Sequence, residues 1–229
     1  MTNMDIIKPL RRLCKLDLLK TVYFNFSYFP FKTAIRLPAL VYRHTVLQHT
    51  KGKIVINATP FMGMLNIGPH ELGTQDMRYS RTIWDVAGTL VINGRATFGR
   101  GSRISIRQEG VLNVGQNFSL TGRSSIICDF NICFGNDCLL SWDILIMDTD
   151  FHPIIDESGK TINPPDSIEI GNHVWIGCKT TILKGARISN DVIIAACSLI
   201  VRKHNENRCI IGGQGAEAKT LRKNVTWDK

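Results

Sequence analysis

The chain has 229 residues, 44% of them hydrophobic and 21% charged, the size of one domain with an extension and enough to bury a core without covalent staples. Seven cysteines (Cys14, Cys128, Cys133, Cys138, Cys178, Cys197 and Cys209) form no C-x-x-C pair, and no apolar run is long enough to span a bilayer or to act as a secretory signal. This excludes a disulfide framework or zinc finger and points to a reducing, cytoplasmic setting. The net charge of +9 sits at one end: residues 1–53 carry ten Lys/Arg against Asp5 and Asp17, leaving 18 Lys/Arg and 17 Asp/Glu in the rest. A basic arm on a nearly neutral body suits nucleic acid, an anionic membrane surface or a phosphorylated ligand, or is simply a solvated extension.

In chain order, residues 1–52 read as that arm. Residues 1–22 mix Ile and Leu with basic residues, a pattern for a basic amphipathic helix broken near Pro9. Residues 23–42, YFNFSYFPFKTAIRLPALVY, read as an irregular aromatic arm packed onto the rest or lying in a membrane interface. From residue 53 the composition turns to Ile, Val and Gly, and a six-residue spacing emerges: Ile92, Phe98, Ile104; then Val114, Leu120, Ile126, Ile132; then Phe134, Leu140, Ile146. The register slips by about two between blocks, as longer corners would make it. Residues 147–167 break the pattern, and loops leaving a rigid repeat are where function concentrates. The pattern then resumes without exception at Ile170, Ile176, Ile182, Ile188, Ile194 and Ile200. With 28 isoleucines in the chain, six in a row at one spacing has a chance on the order of 10⁻⁶ per register.

A period of six fits neither regular element alone. On a helix every sixth residue falls about 240° further round, which scatters the isoleucines. A three-sided prism absorbs it: each hexad makes one flat side, and eighteen residues close a coil. Ile170 then stacks on Ile188, Ile176 on Ile194 and Ile182 on Ile200, at the inter-strand spacing of about 4.8 Å. The expected fold is all-β, a left-handed parallel β-helix spanning 53–212, with the loop 147–167, the basic arm before it and a short tail, 213–229, after it.

The hexad repeat followed by GGQGAEAKTLRKN resembles the hexapeptide-repeat acyltransferases, and within them the sugar O-acetyltransferases of the galactoside and maltose type with their polysaccharide-biosynthesis relatives. The likeness covers residues 85–229. It implies acetyl-CoA as co-substrate, transfer of acetyl to a hydroxyl of a small or lipid-linked sugar, a homotrimer with active sites in the clefts between subunits, and neither nucleic acid nor metal. Such transfer needs a base for the hydroxyl proton and donors for the developing oxyanion.

His152, followed by Pro153, stands where the family keeps its catalytic histidine. His44, His49, His70, His173 and His204 have weaker claims, His173 reading as an exposed strand residue. Asp148 and Asp150 are placed to hold the His152 ring or to cap the loop turn. Asp129 aligns with an acceptor-binding aspartate, and Trp142 and Asp143 read as part of the same acceptor region, the indole offering a sugar-stacking face. On the donor side the resemblance assigns Trp175 to the coenzyme cleft, Gly177 and Cys178 to the thioester, Ala196 to the pantetheine, and Lys203, Lys219 and Arg222 to the phosphates.

Two positions depart from the family. Glu217 stands where relatives carry proline, in Gly215-Ala216-Glu217-Ala218, and Ala195 stands where they carry glycine. An N-acetyltransferase acting on an amino sugar uses the same parts, and a non-catalytic β-helical scaffold would keep the isoleucines without them. The basic residues 1–50 suit a peripheral contact with the inner membrane face or a cover for the open end of the prism.

Overall fold

The computed structural model describes residues 15–69, 72–76 and 78–228. Most of the expected N-terminal amphipathic helix (residues 1–14), Cys14 and His70 lie outside them. Three parallel sheets of nine, seven and seven strands wrap a single core. The chain visits the sheets in turn, so each parallel strand pairs with the one three strands later in sequence until the final return strand. In the C-terminal half the register is the one the isoleucines predict: Ile170 lies against Ile188, Ile176 against Ile194 and Ile182 against Ile200. All six are buried. Each such side chain taken out of water contributes about 1.5–3 kcal/mol, which holds the inward positions to Ile, Val, Leu and Phe.

The earlier coils are longer. Leu112 pairs with Ile132 and Leu120 with Leu140, both twenty residues on, while Leu90 reaches Leu112 after twenty-two. The extra residues sit at corners, so the slip changes no inward face. Two corners of the prism repeat a left-handed backbone: Arg123, Asp143, Lys179 and Cys197 on one column, Asn117, Asp137, His173, Asp191 and Arg208 on another, all with φ between 51 and 61°. Asn and Asp tolerate this conformation best.

The prism starts earlier than expected, at Ala39–Val41, which pairs with Leu65–Ile67. The arm is correspondingly more ordered than its sequence suggests. Helix α1 (Leu18–Tyr28) is N-capped by Asp17, whose Oδ1 accepts from the Lys20 amide at 3.0 Å. A single turn, α2 (Phe31–Ala34), follows Pro30. Helix α1 covers the open end of the first sheet. The Asn25 side chain accepts from the Ala39 amide at 3.0 Å and donates to the Ala39 carbonyl at 2.7 Å. One turn earlier, the Thr21 hydroxyl does the same for Val41, at 3.1 and 3.3 Å. Residues four apart on a helix thus meet residues two apart on a strand and satisfy an edge that would otherwise template further strands.

Phe24, under the helix, begins an aromatic column through the core: Phe24–Trp84, Trp84–Phe98, Phe98–Phe118 and Phe118–Phe134, with ring centroids 5.0–6.0 Å apart. The Trp84 indole donates to the Tyr28 hydroxyl at 3.1 Å, and burial pushes that phenol up to about 12.

At the far end Cys209–Gly212 adds the last parallel strand, and Lys219–Lys223 returns antiparallel beside it. The tail then runs back along the prism to Trp227, which stacks on His173 at 4.4 Å and donates to its carbonyl at 2.9 Å. His173, expected as an exposed strand residue, is therefore a half-buried corner residue whose Nδ1 lies 2.8 Å from Asp191.

Candidate active site

The loop 147–167 leaves the corner between the second and third sheets, after strand Leu145–Met147, and rejoins at Ile168–Ile170. His152 lies on it, exposed, its amide donating to the Asp150 carbonyl at 2.7 Å and its ring free of hydrogen bonds among the described residues. It lines a cavity of about 170 Å³ together with Asp129, Asp150, Phe151 and Asn163. His152 and Asp129 thus line the same cavity. Asp129 comes from the same corner one coil earlier, and its carboxylate meets Arg107 Nε at 2.8 Å.

The two loop aspartates take other parts. Asp148 is fully buried and accepts the amides of Asp129 and Phe130 at 2.8 and 3.0 Å, so it shapes the turn that presents Asp129 and cannot itself reach an acceptor. The Asp150 carboxylate accepts from Lys184 Nζ at 2.6 Å and from Asn163 Nδ2 at 2.8 Å rather than from the imidazole. The Lys184 bond, then the Asn163 bond, hold its acid below the usual carboxylate range. Lys184 also donates to the carbonyls of Asn163 and Pro164, at 2.9 and 3.1 Å, and Asn163 to the carbonyl of His152 at 3.0 Å. These two residues, which sequence reasoning passed over, close the loop on itself behind His152.

Trp142 and Asp143 are not in this region. They sit at the corner between the first and second sheets, Trp142 beneath Gly122 and Asp143 paired with Arg123 Nε at 3.0 Å. The column continues downward: the Lys179 amide donates to the Trp142 carbonyl, and the Cys197 amide to the Cys178 carbonyl, which stacks Trp142, Cys178 and Ala196. From Asp143 to Asp148 is five residues of extended chain, roughly 16 Å across the second sheet.

Gly177 runs so close to the next coil that a Cβ there would lie 2.6 Å from the Ala196 amide nitrogen, and Cys178 and Ala196 beside it are small. The corner therefore has a low rim along which a thin chain can lie against backbone. Trp175, on the first sheet, is 37% exposed; its indole donates to Ser141 at 3.1 Å and its ring centroid lies 6.1 Å from that of Trp227. The tail thus walls one side of Trp175, a neighbour that nothing in the repeat announces.

The three basic residues assigned to phosphates do not converge. Lys203 is on the third sheet, whereas Lys219 and Arg222 lie on the return strand at the end of the first. The chain turns one more corner after Lys203 before it doubles back, which separates them. Glu217 is exposed in the short turn Gly215–Glu217 that precedes Lys219. Among the described residues no three His, Cys, Asp or Glu side chains are grouped to hold a metal ion.

The chain is 35% identical over 98 residues to the polysialic acid O-acetyltransferase of Neisseria meningitidis, covering 42% of this chain and 36% of that protein. It is 29% identical over 138 residues to the polysialic acid O-acetyltransferase of Escherichia coli O1:K1, covering 59% and 41%. It is also 29% identical over 94 residues to the galactoside O-acetyltransferase of Escherichia coli K12, covering 40% and 45%. The chain thus spans less than half the length of these curated relatives. No family model matches it. The solved polysialic-acid-specific acetyltransferase NeuO superposes with a TM-score of 0.56 at 20% identity, over 83% of this chain and 79% of that one. In sequence the chain is similar to sugar and polysaccharide O-acetyltransferases, and it shares the fold of NeuO. This hexapeptide-repeat protein has the expected left-handed parallel β-helix, and within it His152 and the Trp142–Cys178–Ala196 column stand on different corners.

Proposed function

We propose that this hexapeptide-repeat protein transfers an acetyl group from acetyl-CoA to a hydroxyl of a sugar or polysaccharide precursor, with His152 as general base. The observation that carries the reading is the His152–Asp129 cavity: an imidazole with both ring nitrogens unengaged among the described residues, on a loop clamped by Lys184 and Asn163, lining one cavity with a carboxylate able to accept from a sugar hydroxyl. In the reaction His152 takes the hydroxyl proton as the oxygen bonds to the acyl carbon. The carbon–sulfur bond breaks, and the proton passes to the leaving thiolate. Asp129 positions the acceptor.

The low rim at Gly177, Cys178 and Ala196, with Trp175 nearby, suits the thin pantetheine arm and offers backbone amides to the thioester oxygen. In one chain this rim and His152 are a sheet apart, so we place the complete site between the His152 corner of one subunit and the rim of the next, in a homotrimer. Lys219 and Arg222 remain candidates for the coenzyme phosphates, with Lys203 on a separate face. The acceptor class includes lipid-linked precursors, which are met at a membrane surface.

Calorimetric titration with acetyl-CoA and with coenzyme A tests the donor site; micromolar binding near one site per chain is expected. His152→Ala should keep that binding and lose transfer by about 10²–10⁴-fold. A folded protein that binds neither compound would point to a scaffold instead, and transfer undiminished in His152→Ala would remove the base from this account.

A further inference from the structure

Helix α1 has two opposite faces poor in charge, and the prism uses only one. Thr21, Phe24 and Asn25 are buried against the end of the prism. Opposite them Leu19, Val22, Tyr23 and Phe26, at helical spacing, are all exposed, Leu19 at 85%. Leu18 flanks this stripe. The exposed Phe31 of α2 extends it, its ring centroid 6.0 Å from that of Phe26, and Ile35 follows. A continuous patch of this size is unusual on a surface that only water covers.

Its surroundings are basic. Between residues 15 and 43 stand Lys15, Lys20, Lys32, Arg36 and Arg43 against one acid, Asp17, which Lys20 already neutralises at 3.1 Å. Among the described residues Lys15, Lys32, Arg36 and Arg43 have no ion-pair partner. The preceding fourteen residues add Lys8, Arg11 and Arg12 against Asp5. A second copy placed against this face would set like charge on like charge. An anionic bilayer supplies both missing complements at once, acyl chains for Leu19, Val22 and Phe26 and headgroup phosphates for the lysines and arginines.

We propose that the outer face of α1, continued by Phe31 and Ile35, is a docking surface for an anionic lipid bilayer. The helix lies in the interface plane, and the prism projects from it into solvent. The same helix therefore has two duties on opposite faces, since Thr21 and Asn25 cap the sheet while Leu19 and Phe26 enter the lipid. This assignment stands apart from the catalytic reading. Deleting the arm would uncover the sheet edge and confuse the two duties, so the test uses point changes on the outer face.

The full chain is sedimented with vesicles of mixed phosphatidylglycerol and phosphatidylcholine, and with phosphatidylcholine alone, at low and high salt. Binding to the anionic vesicles that weakens with salt is expected. Leu19→Glu/Phe26→Glu should lower it by about tenfold or more with the thermal midpoint unchanged. Lys32→Glu/Arg36→Glu should remove the preference for anionic lipid. Absence of binding by the folded chain, equal binding by Leu19→Glu/Phe26→Glu, or equal binding to neutral vesicles would overturn the proposal. So would a lipid-free doubling of mass that Leu19→Glu/Phe26→Glu abolishes, which would make the face a contact between copies.

Discussion

His152 owes its position to hydrogen bonds made by side chains other than its own. Lys184 joins Asp150, Asn163 and Pro164, the two ends of the loop, while Asp148 fixes the backbone beneath Asp129. Replacing Lys184 by Met should leave the prism intact and free the loop. The expected result is faster proteolytic cleavage within residues 150–165 and a fall in kcat/KM of about tenfold, with acetyl-CoA affinity unchanged. The clamp has a defined pH range. Because the Asp150 acid is held below its ordinary value, the folded state favours the carboxylate, so the contribution is complete above the ordinary carboxylate pKa and is lost only as pH falls through the lowered one. Amide exchange in the loop should therefore be flat across neutral pH, after correction for the intrinsic rate, and rise in acid. In Lys184→Met it should be fast throughout.

The two ends of the prism raise separate questions of stability. At the first, Asn25→Leu would leave the Ala39 amide and carbonyl buried without partners, and a loss of about 2–5 kcal/mol in denaturant unfolding is expected, with a tendency to associate through the bared edge. At the last, His204 pairs with Ile188 and has Nε2 buried without a partner among the described residues, and burial, then the charge of Arg202, lower its pKa from 6.5. Folding therefore favours its neutral form. Stability is therefore complete above 6.5 and declines as pH falls from there toward the lowered value; His204→Leu should flatten that slope in thermal melts.

These ends also mark where sequence reasoning stops. The inward isoleucines were legible because the core demands the same residue type every six positions, and longer corners shift that register without breaking it. The cap was not legible, because Thr21 and Asn25 meet Ala39 and Val41 through polar side chains that carry no period. The site was half legible for the same reason. His152 was singled out by its place at a corner and Asp129 by resemblance, but the Lys184 clamp bridges 34 residues through a single long side chain. Trp142 was misplaced because counting along the chain does not say which corner a residue occupies.

For the whole molecule, the decisive fact is that one chain holds the two halves of the proposed site on different corners. His152, Asp129 and Arg107 flank the second sheet on one side, and Trp142, Cys178 and Ala196 on the other. Roughly 16 Å of extended chain separates them, too far for an imidazole to reach a thioester lying on the rim. If a neighbouring prism closes that distance, catalytic competence belongs to an interface, and two defective chains can repair each other. His152→Ala removes the base and leaves the rim. Gly177→Val fills the close approach at Ala196 and leaves the base. Each homo-oligomer should be inactive. When the two are unfolded, mixed in equal amounts and refolded together, an interface is competent only where the intact His152 corner of one chain meets the intact rim of the other. Random assembly makes that about one interface in four, so about a quarter of wild-type activity should return. Mixing without refolding should restore little, since the subunits would not exchange. Failure of the two defects to complement, with no activity in co-refolded, folded protein, would put base and rim in the same chain's service and require the loop 147–167 to swing across the second sheet instead.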